Sequence, residues 1–132
     1  MRQQAPVILL LEDHDQARFV VRSVLEREGY GVVEAMDESE ALAVCGAVEQ
    51  KIDLLISDVI LSSARGTDVA TRISALRPAL PILFISGYGV EDLVSRGLLG
   101  SDRFPSVRVS FLQKPFMPET LLDSVDRLLA SA

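Results

Sequence analysis

Val7-Ile8-Leu9-Leu10-Leu11-Glu12-Asp13 is the stretch from which the fold can be read: five apolar residues in a row, then two carboxylates. A half-exposed strand alternates apolar and polar side chains, whereas a strand covered on both faces is apolar throughout. Five residues are also far too few to cross a bilayer. The same reading applies to Leu54-Leu55-Ile56 and to Ile82-Leu83-Phe84-Ile85, which are likewise nearly continuous in apolar character. Val32-Val33-Glu34-Ala35 and Val107-Arg108-Val109-Ser110-Phe111-Leu112 complete a set of five expected strands. The last alternates at first, which marks it as an edge strand.

Between these runs the apolar residues recur at three- and four-residue spacing, the period of helices with one buried face. Ala17, Val20, Val21, Val24 and Leu25 form the first stripe, with Asp15 as its expected N-cap and Gly29 as its stop. Ala41, Val44, Cys45 and Val48 form the second, and Val69, Ile73 and Leu76 the third, ended by Pro78. Val90, Leu93, Val94 and Leu98 make a weaker fourth stripe, and Leu121, Leu122, Val125, Leu128 and Leu129 a strong fifth. Gly100 to Ser106 reads as an exposed loop. Strand and helix thus alternate five times, which specifies an α/β fold: a doubly wound, five-stranded parallel sheet with helices on both faces.

The bulk properties agree with one such unit. A chain of 132 residues has room for a single domain spanning 1–132, and 48% hydrophobic residues suffice to fill its interior. The net charge of −6, from 13 basic and 19 acidic residues, offers no basic stripe to neutralise phosphates, so direct nucleic-acid binding is not expected. Cys45 is the one cysteine, which excludes an internal disulfide and a cysteine-rich zinc site; its apolar neighbours make it a buried, inert thiol. Met1 to Pro6 carries no signal-peptide pattern and no run is long enough to insert in a membrane, so a cytoplasmic location is expected.

In doubly wound sheets the chemistry collects beyond the carboxyl ends of the strands. Glu12-Asp13 follow the first run, Ser57-Asp58 the third, Ser86-Gly87 the fourth and Gln113-Lys114-Pro115 the fifth. The topology therefore brings three carboxylates, a hydroxyl and an ammonium to one edge. Like charges about 4 Å apart repel by roughly 4 kcal/mol at an effective dielectric of about 20, so the three carboxylates call for a cation. Oxygen ligands alone suit a hard ion such as Mg²⁺, which keeps several waters and accepts phosphate oxygens. With charge balanced, a carboxylate can act as a nucleophile and form an acyl phosphate, and Ser86 and Lys114 can donate to the phosphoryl oxygens. A nucleotide-binding P-loop is excluded, because no Gly-Lys-Ser/Thr motif exists.

Glu12-Asp13, Asp58, Gly66 eight residues on, Ser86-Gly87 and Lys114-Pro115-Phe116 stand in one order, each at its strand end. In this the chain resembles the receiver domain of two-component response regulators, and the resemblance covers essentially its whole length. It implies a flavodoxin-like (βα)5 fold with strand order 2-1-3-4-5. It implies that Asp58 is the phosphoacceptor, with Ser86 and Lys114 assisting. It also implies that Asp13, Asp58 and the main-chain carbonyl of Ile60 bind Mg²⁺, with Glu12 supporting through water. Ser86 and Phe111 then form the switch, and the Lys114-Pro115 bond is expected to be cis. The implied partners are a histidine kinase or histidine phosphotransfer protein and a downstream protein target. The oligomeric state is left open, a homodimer included. Such a module catalyses its own phosphorylation and dephosphorylation but turns over no separate substrate.

Three departures from the family pattern stand out. Ser62 takes a position where proline is common, which predicts a more mobile loop. Phe111 replaces the frequent tyrosine and has no hydroxyl. The long stretch from Ser86 to Lys114, with Ser86-Gly87-Tyr88-Gly89, is similar to receivers attached to hybrid sensor histidine kinases. Ile60 and Tyr88 are placed at the pocket mouth and His14 at its exposed rim. The competing functions are a phosphorylation-independent interaction domain with the same fold, and a metal-dependent phosphatase. The intact acid–lysine set speaks against the first. The second would want an acid two residues after Asp58, where Ile60 stands.

Overall fold

The computed structural model describes residues 5–98 and 108–130. These residues form β1 (Val7–Leu11), α1 (Asp15–Arg27), β2 (Gly31–Ala35), α2 (Glu38–Gly46), β3 (Leu54–Asp58), α3 (Gly66–Leu76), β4 (Ile82–Ser86), α4 (Val90–Ser95), β5 (Val109–Gln113) and α5 (Pro118–Ala130). The strands lie in the order β2-β1-β3-β4-β5 and all pairings are parallel. Parallel neighbours need crossover connections, and the helices supply them.

Because successive side chains leave a strand on opposite faces, each strand feeds two cores. Leu9, Leu11, Leu55, Ile82 and Phe84 pack with Ala41 and Cys45 of α2, Val69 and Ile73 of α3, and Leu93 of α4. Ile8, Leu10, Leu54, Ile56, Leu83 and Ile85 pack with Val21 and Leu25 of α1 and with Leu121, Val125 and Leu128 of α5. β3 and β4 are buried at every position, as their unbroken apolar runs require. β5 lies at the sheet edge and is only half-buried along most of its length.

The stripes are narrower than their periodicity suggests. Val21 and Leu25 stand one above the other on α1, while Val20, turned about 100° from Val21, is exposed. α2 stops at Gly46 with an extended Ala47, so Val48 leaves the helical face and is 89% exposed. Leu76, Val90 and Val94 also face outward, whereas Leu93 and Leu98 are buried. The cap of α1 is His14, with no side-chain cap bond; Asp15 is the first helical residue and bonds Arg18 instead. A better cap lies at α2, where Asp37 accepts the Glu40 amide at 2.9 Å and Glu40 accepts the Met36 amide at 2.7 Å. Gly29 follows α1 with φ of 97°, a left-handed stop that favours glycine. The start of the fifth strand expected at Val107 and the loop expected at Gly100 to Ser106 lie outside the described residues. No helix among the described residues is long and apolar enough to cross a membrane.

Candidate functional site

Parallel strands end together, so the residues that follow β1, β3, β4 and β5 meet at one edge. Glu12, directly after β1, is buried and held by its amide to the Ala35 carbonyl at 3.1 Å. Its Oε2 accepts the His14 amide at 3.2 Å, and its Oε1 lies 3.1 Å from Lys114 Nζ. Asp58, the last residue of β3, is also buried, and its Oδ2 lies 3.0 Å from the same ammonium. Lys114 therefore joins Glu12 and Asp58, residues at the ends of two different strands. Its backbone is set by a 2.7 Å bond from its amide to the Ser86 carbonyl and is followed by a cis bond to Pro115.

The chain leaving Asp58 folds back tightly. Asp58 Oδ1 accepts the Ile60 amide at a long 3.4 Å, and the Gly66 amide returns to the Val59 carbonyl at 2.6 Å. A Cβ on Gly66 would run into the Asp58 carbonyl, so the start of α3 can approach the acceptor strand only because residue 66 is glycine. Ser86 is buried, and its Oγ accepts the Tyr88 amide at 3.1 Å, which uses a lone pair and not the hydroxyl proton. Phe111 is half-buried on β5 with its ring stacked on Phe84, centroids 5.5 Å apart.

Asp13 follows Glu12, its side chain 13% exposed. Oδ2 accepts both the amide of Ser62, at 2.6 Å, and the Ser62 hydroxyl. Oδ1 is buried and accepts no hydrogen bond, with His14 Nδ1 3.3 Å away. The loop expected to be loosened at Ser62 is thus tied: the hydroxyl and amide that proline would lack both engage Asp13, and Ile60 and Arg65 form an antiparallel bridge. His14 is exposed, as expected at a rim, but among the described residues it joins Glu12 and Asp13 as a group whose ligand atoms lie within 4.8 Å of one another. Asp58 is not in that group; its Oδ2 is paired with Lys114.

Burial pushes the Asp58 carboxyl above its usual range; the Lys114 ammonium pulls against this and the Glu12 charge adds to it. Burial alone would lower Lys114, but the bonds and charges of Asp58 and Glu12 outweigh it and raise its pKa. Burial would raise Asp13 as well, yet the two Ser62 bonds prevail and hold it below the ordinary value. Glu12 and Asp58 thus share one lysine, while Asp13 next to Glu12 is held by Ser62. A hard cation fits this set: the donors are oxygens, and one buried carboxylate oxygen has no hydrogen-bond donor. Arg18 was not evident as part of the site. Its guanidinium holds the Glu12 carbonyl at 2.9 Å while pairing with Glu34 at 3.2 Å and Asp15 at 2.7 Å. Only the Asp15–Arg18 spacing was visible as a signal in the sequence.

A family model described as the response regulator receiver domain matches residues 8–126. The response regulator receiver protein CpdR of Brucella abortus is 29% identical over 126 residues, covering 96% of this chain and 98% of that protein. The phosphate regulon transcriptional regulatory protein PhoB of Pseudomonas aeruginosa is 30% identical over 92% of this chain, which spans only 51% of that relative. The receiver domain of the hybrid histidine kinase CckA superposes with a TM-score of 0.74 at 34% identity, covering 93% of this chain and 98% of that one. A CheY-like receiver domain protein from Methanospirillum hungatei gives 0.77 at 26% identity, covering 96% and 95%.

Proposed function

The chain belongs to the response regulator receiver domain family, and on that premise we propose that Asp58 accepts a phosphoryl group from a histidine kinase or histidine phosphotransfer protein. The family works as signalling modules of two-component systems that phosphorylation switches. The observation that carries the assignment of Asp58 is its position: a buried carboxylate at the end of β3, sharing one ammonium with Glu12.

In the proposed reaction an Asp58 carboxylate oxygen attacks the phosphorus of the donor's phosphohistidine. The P–N bond breaks and its electron pair returns to the imidazole. Oδ1, with only the long contact to Ile60, is the less engaged oxygen. Burial raises the basicity of Asp58 and so favours attack. Lys114 then turns its ammonium from the carboxylate to a phosphoryl oxygen, and the Ser86 hydroxyl donates to another. Asp13, Asp58, the Ile60 carbonyl and, through water, Glu12 would hold Mg²⁺. When bound, that ion supplies positive charge to offset the three carboxylates and the incoming phosphoryl oxygens. The module acts on its own acyl phosphate and turns over no separate substrate. We assign all of residues 1–132 to this one cytoplasmic receiver, with a downstream protein as its reader. The kinship with the CckA receiver supports a place in a phosphorelay.

Intact mass after incubation with a small acyl phosphate and Mg²⁺ tests the reading. Wild type should gain one phosphoryl group and Asp58→Asn none. Equal labelling of the two would reject Asp58, and no labelling of either would favour the phosphorylation-independent interaction domain.

A further inference from the structure

We propose that Ser62 is a positioning residue for the cation, fixing Asp13 so that one of its two oxygens is held and the other is presented. This rests on the reading that Asp13 is a metal ligand. Both donors of Ser62, amide and hydroxyl, converge on Asp13 Oδ2, across 49 residues of sequence. Oδ1 of the same carboxylate accepts no hydrogen bond and has the exposed His14 Nδ1 3.3 Å away. A carboxylate that can rotate must be ordered when it takes a ligand. One already gripped through its far oxygen gives up less freedom on binding, and outer-shell partners of this kind commonly set affinity 10–100-fold.

The grip does not depend on Ser62 alone, although Ser62 itself is exposed. Leu61 before it is buried in the core beneath α2 and α3, and its amide bonds the Ala64 carbonyl at 3.0 Å. Ile60 and Arg65 pair across the base of the same turn, and Gly66 then enters α3. The turn is thus anchored on both sides and holds Ser62 out toward Asp13. Proline at position 62 would offer neither donor, so serine here gives the site a contact that the commoner residue lacks.

Mg²⁺ titration of the unphosphorylated protein, followed by backbone amide shifts, reads affinity without reading activity. The series Ser62→Thr, Ser62→Ala and Ser62→Pro keeps both donors, the amide alone, and neither. Threonine should bind within about 2-fold of wild type, proline about 10-fold or more weaker, and alanine in between. Thermal unfolding without metal should change little for threonine and alanine, since residue 62 is exposed, which separates positioning from a general loss of structure. Equal binding by Ser62→Ala and Ser62→Pro would overturn the proposal by showing that the grip does not set affinity, and tighter binding would overturn it by showing that Ser62 competes with the cation. Asp13→Asn separates the two levels of failure. If it weakens binding while the Ser62 variants do not, only the role of Ser62 falls. If it too leaves affinity unchanged, the metal assignment of Asp13 falls and the Ser62 proposal with it.

Discussion

Ile60 lies two residues past Asp58 with 40% of its surface exposed, its amide turned to Asp58 Oδ1 and its side chain on the outside of the turn. An apolar side chain at that mouth neither orients nor accepts a proton from a water approaching the acyl phosphate. Replacing it with a hydrogen-bonding or acidic group should therefore speed hydrolysis. We expect the phosphoryl half-life of Ile60→Asn and Ile60→Glu to be shorter than that of wild type by about 10-fold, below the roughly 10²–10⁴-fold of a fully positioned proton acceptor; unchanged decay would show that water enters elsewhere. Gly66 was legible as a motif residue, but its reason was not. The atoms that a Cβ would meet are the backbone of Asp58, which cannot swing aside as a flexible side chain could. Gly66→Ala should cost about 1–3 kcal/mol in chemical denaturation, typical of overpacking, and should slow labelling of Asp58 by displacing its carbonyl.

The turn between α1 and β2 is braced to α5 by one side chain, since the Tyr30 hydroxyl donates to Asp126 while the Tyr30 amide bonds the Leu25 carbonyl. Burial first, then the Asp126 bond and charge, push the Tyr30 hydroxyl up to about 12 from an ordinary 10.0. The folded chain therefore keeps this proton to higher pH than the unfolded chain does. Its stabilising effect is complete below about pH 10 and is lost as pH rises toward about 12. Tyr30→Phe should lose about 0.5–1.5 kcal/mol at neutral pH and show a shallower stability decline between pH 9 and about pH 11.5 than wild type, as read by urea midpoints. Elements were legible where burial alone dictates the pattern: the runs at 7–11, 54–56 and 82–85 are strands because both of their faces are covered. Their acidic and basic followers were legible for the same reason, since parallel strands ending together need no further information to gather them. Helix ends were less so. Val48 continues a period that Gly46 has already stopped, and the Asp37 cap was present in the sequence but outweighed by the apolar stripe after it. Contacts such as Ser62 with Asp13 and Arg18 with the Glu12 carbonyl follow from where a crossover returns the chain, which periodicity does not encode.

Across the whole molecule, the question is how far phosphorylation can move the switch. From the residue types alone, Ser86 and Lys114 count as two new charge-assisted bonds, each about 1.5–3 kcal/mol. The structure changes that count, because Lys114 is already bonded to Asp58 and Glu12 at 3.0 and 3.1 Å. Moving its ammonium to a phosphoryl oxygen exchanges one strong partner for another and yields only the difference. Ser86, whose hydroxyl proton is not used in its bond from Tyr88, supplies the new interaction. Shifting an equilibrium from 1:99 to 99:1 requires about 5.5 kcal/mol. One bond of about 1.5–3 kcal/mol would carry such an equilibrium only to roughly 10–60% active. Phe111, half-buried and stacked on Phe84, must leave that ring to follow Ser86 inward, and with no hydroxyl it gains no hydrogen bond on arrival. Phe111 packs against the core that Leu93 of α4 enters, and on the outer side of that helix Val90 and Val94 are exposed, so its movement would be felt at α4. Phosphorylated wild type should therefore populate the active form partially, and Phe111→Tyr should raise that population by adding a hydrogen bond worth about 0.5–1.5 kcal/mol in the inward state. Chemical-shift comparison of the unmodified protein with its acyl-phosphate mimic measures this directly. Shifts should reach Phe111 and α4 and lie part-way between the two end states, farther along in the tyrosine variant. Shifts confined to the surroundings of Asp58 would mean that the phosphoryl chemistry runs without moving the β4–β5 edge.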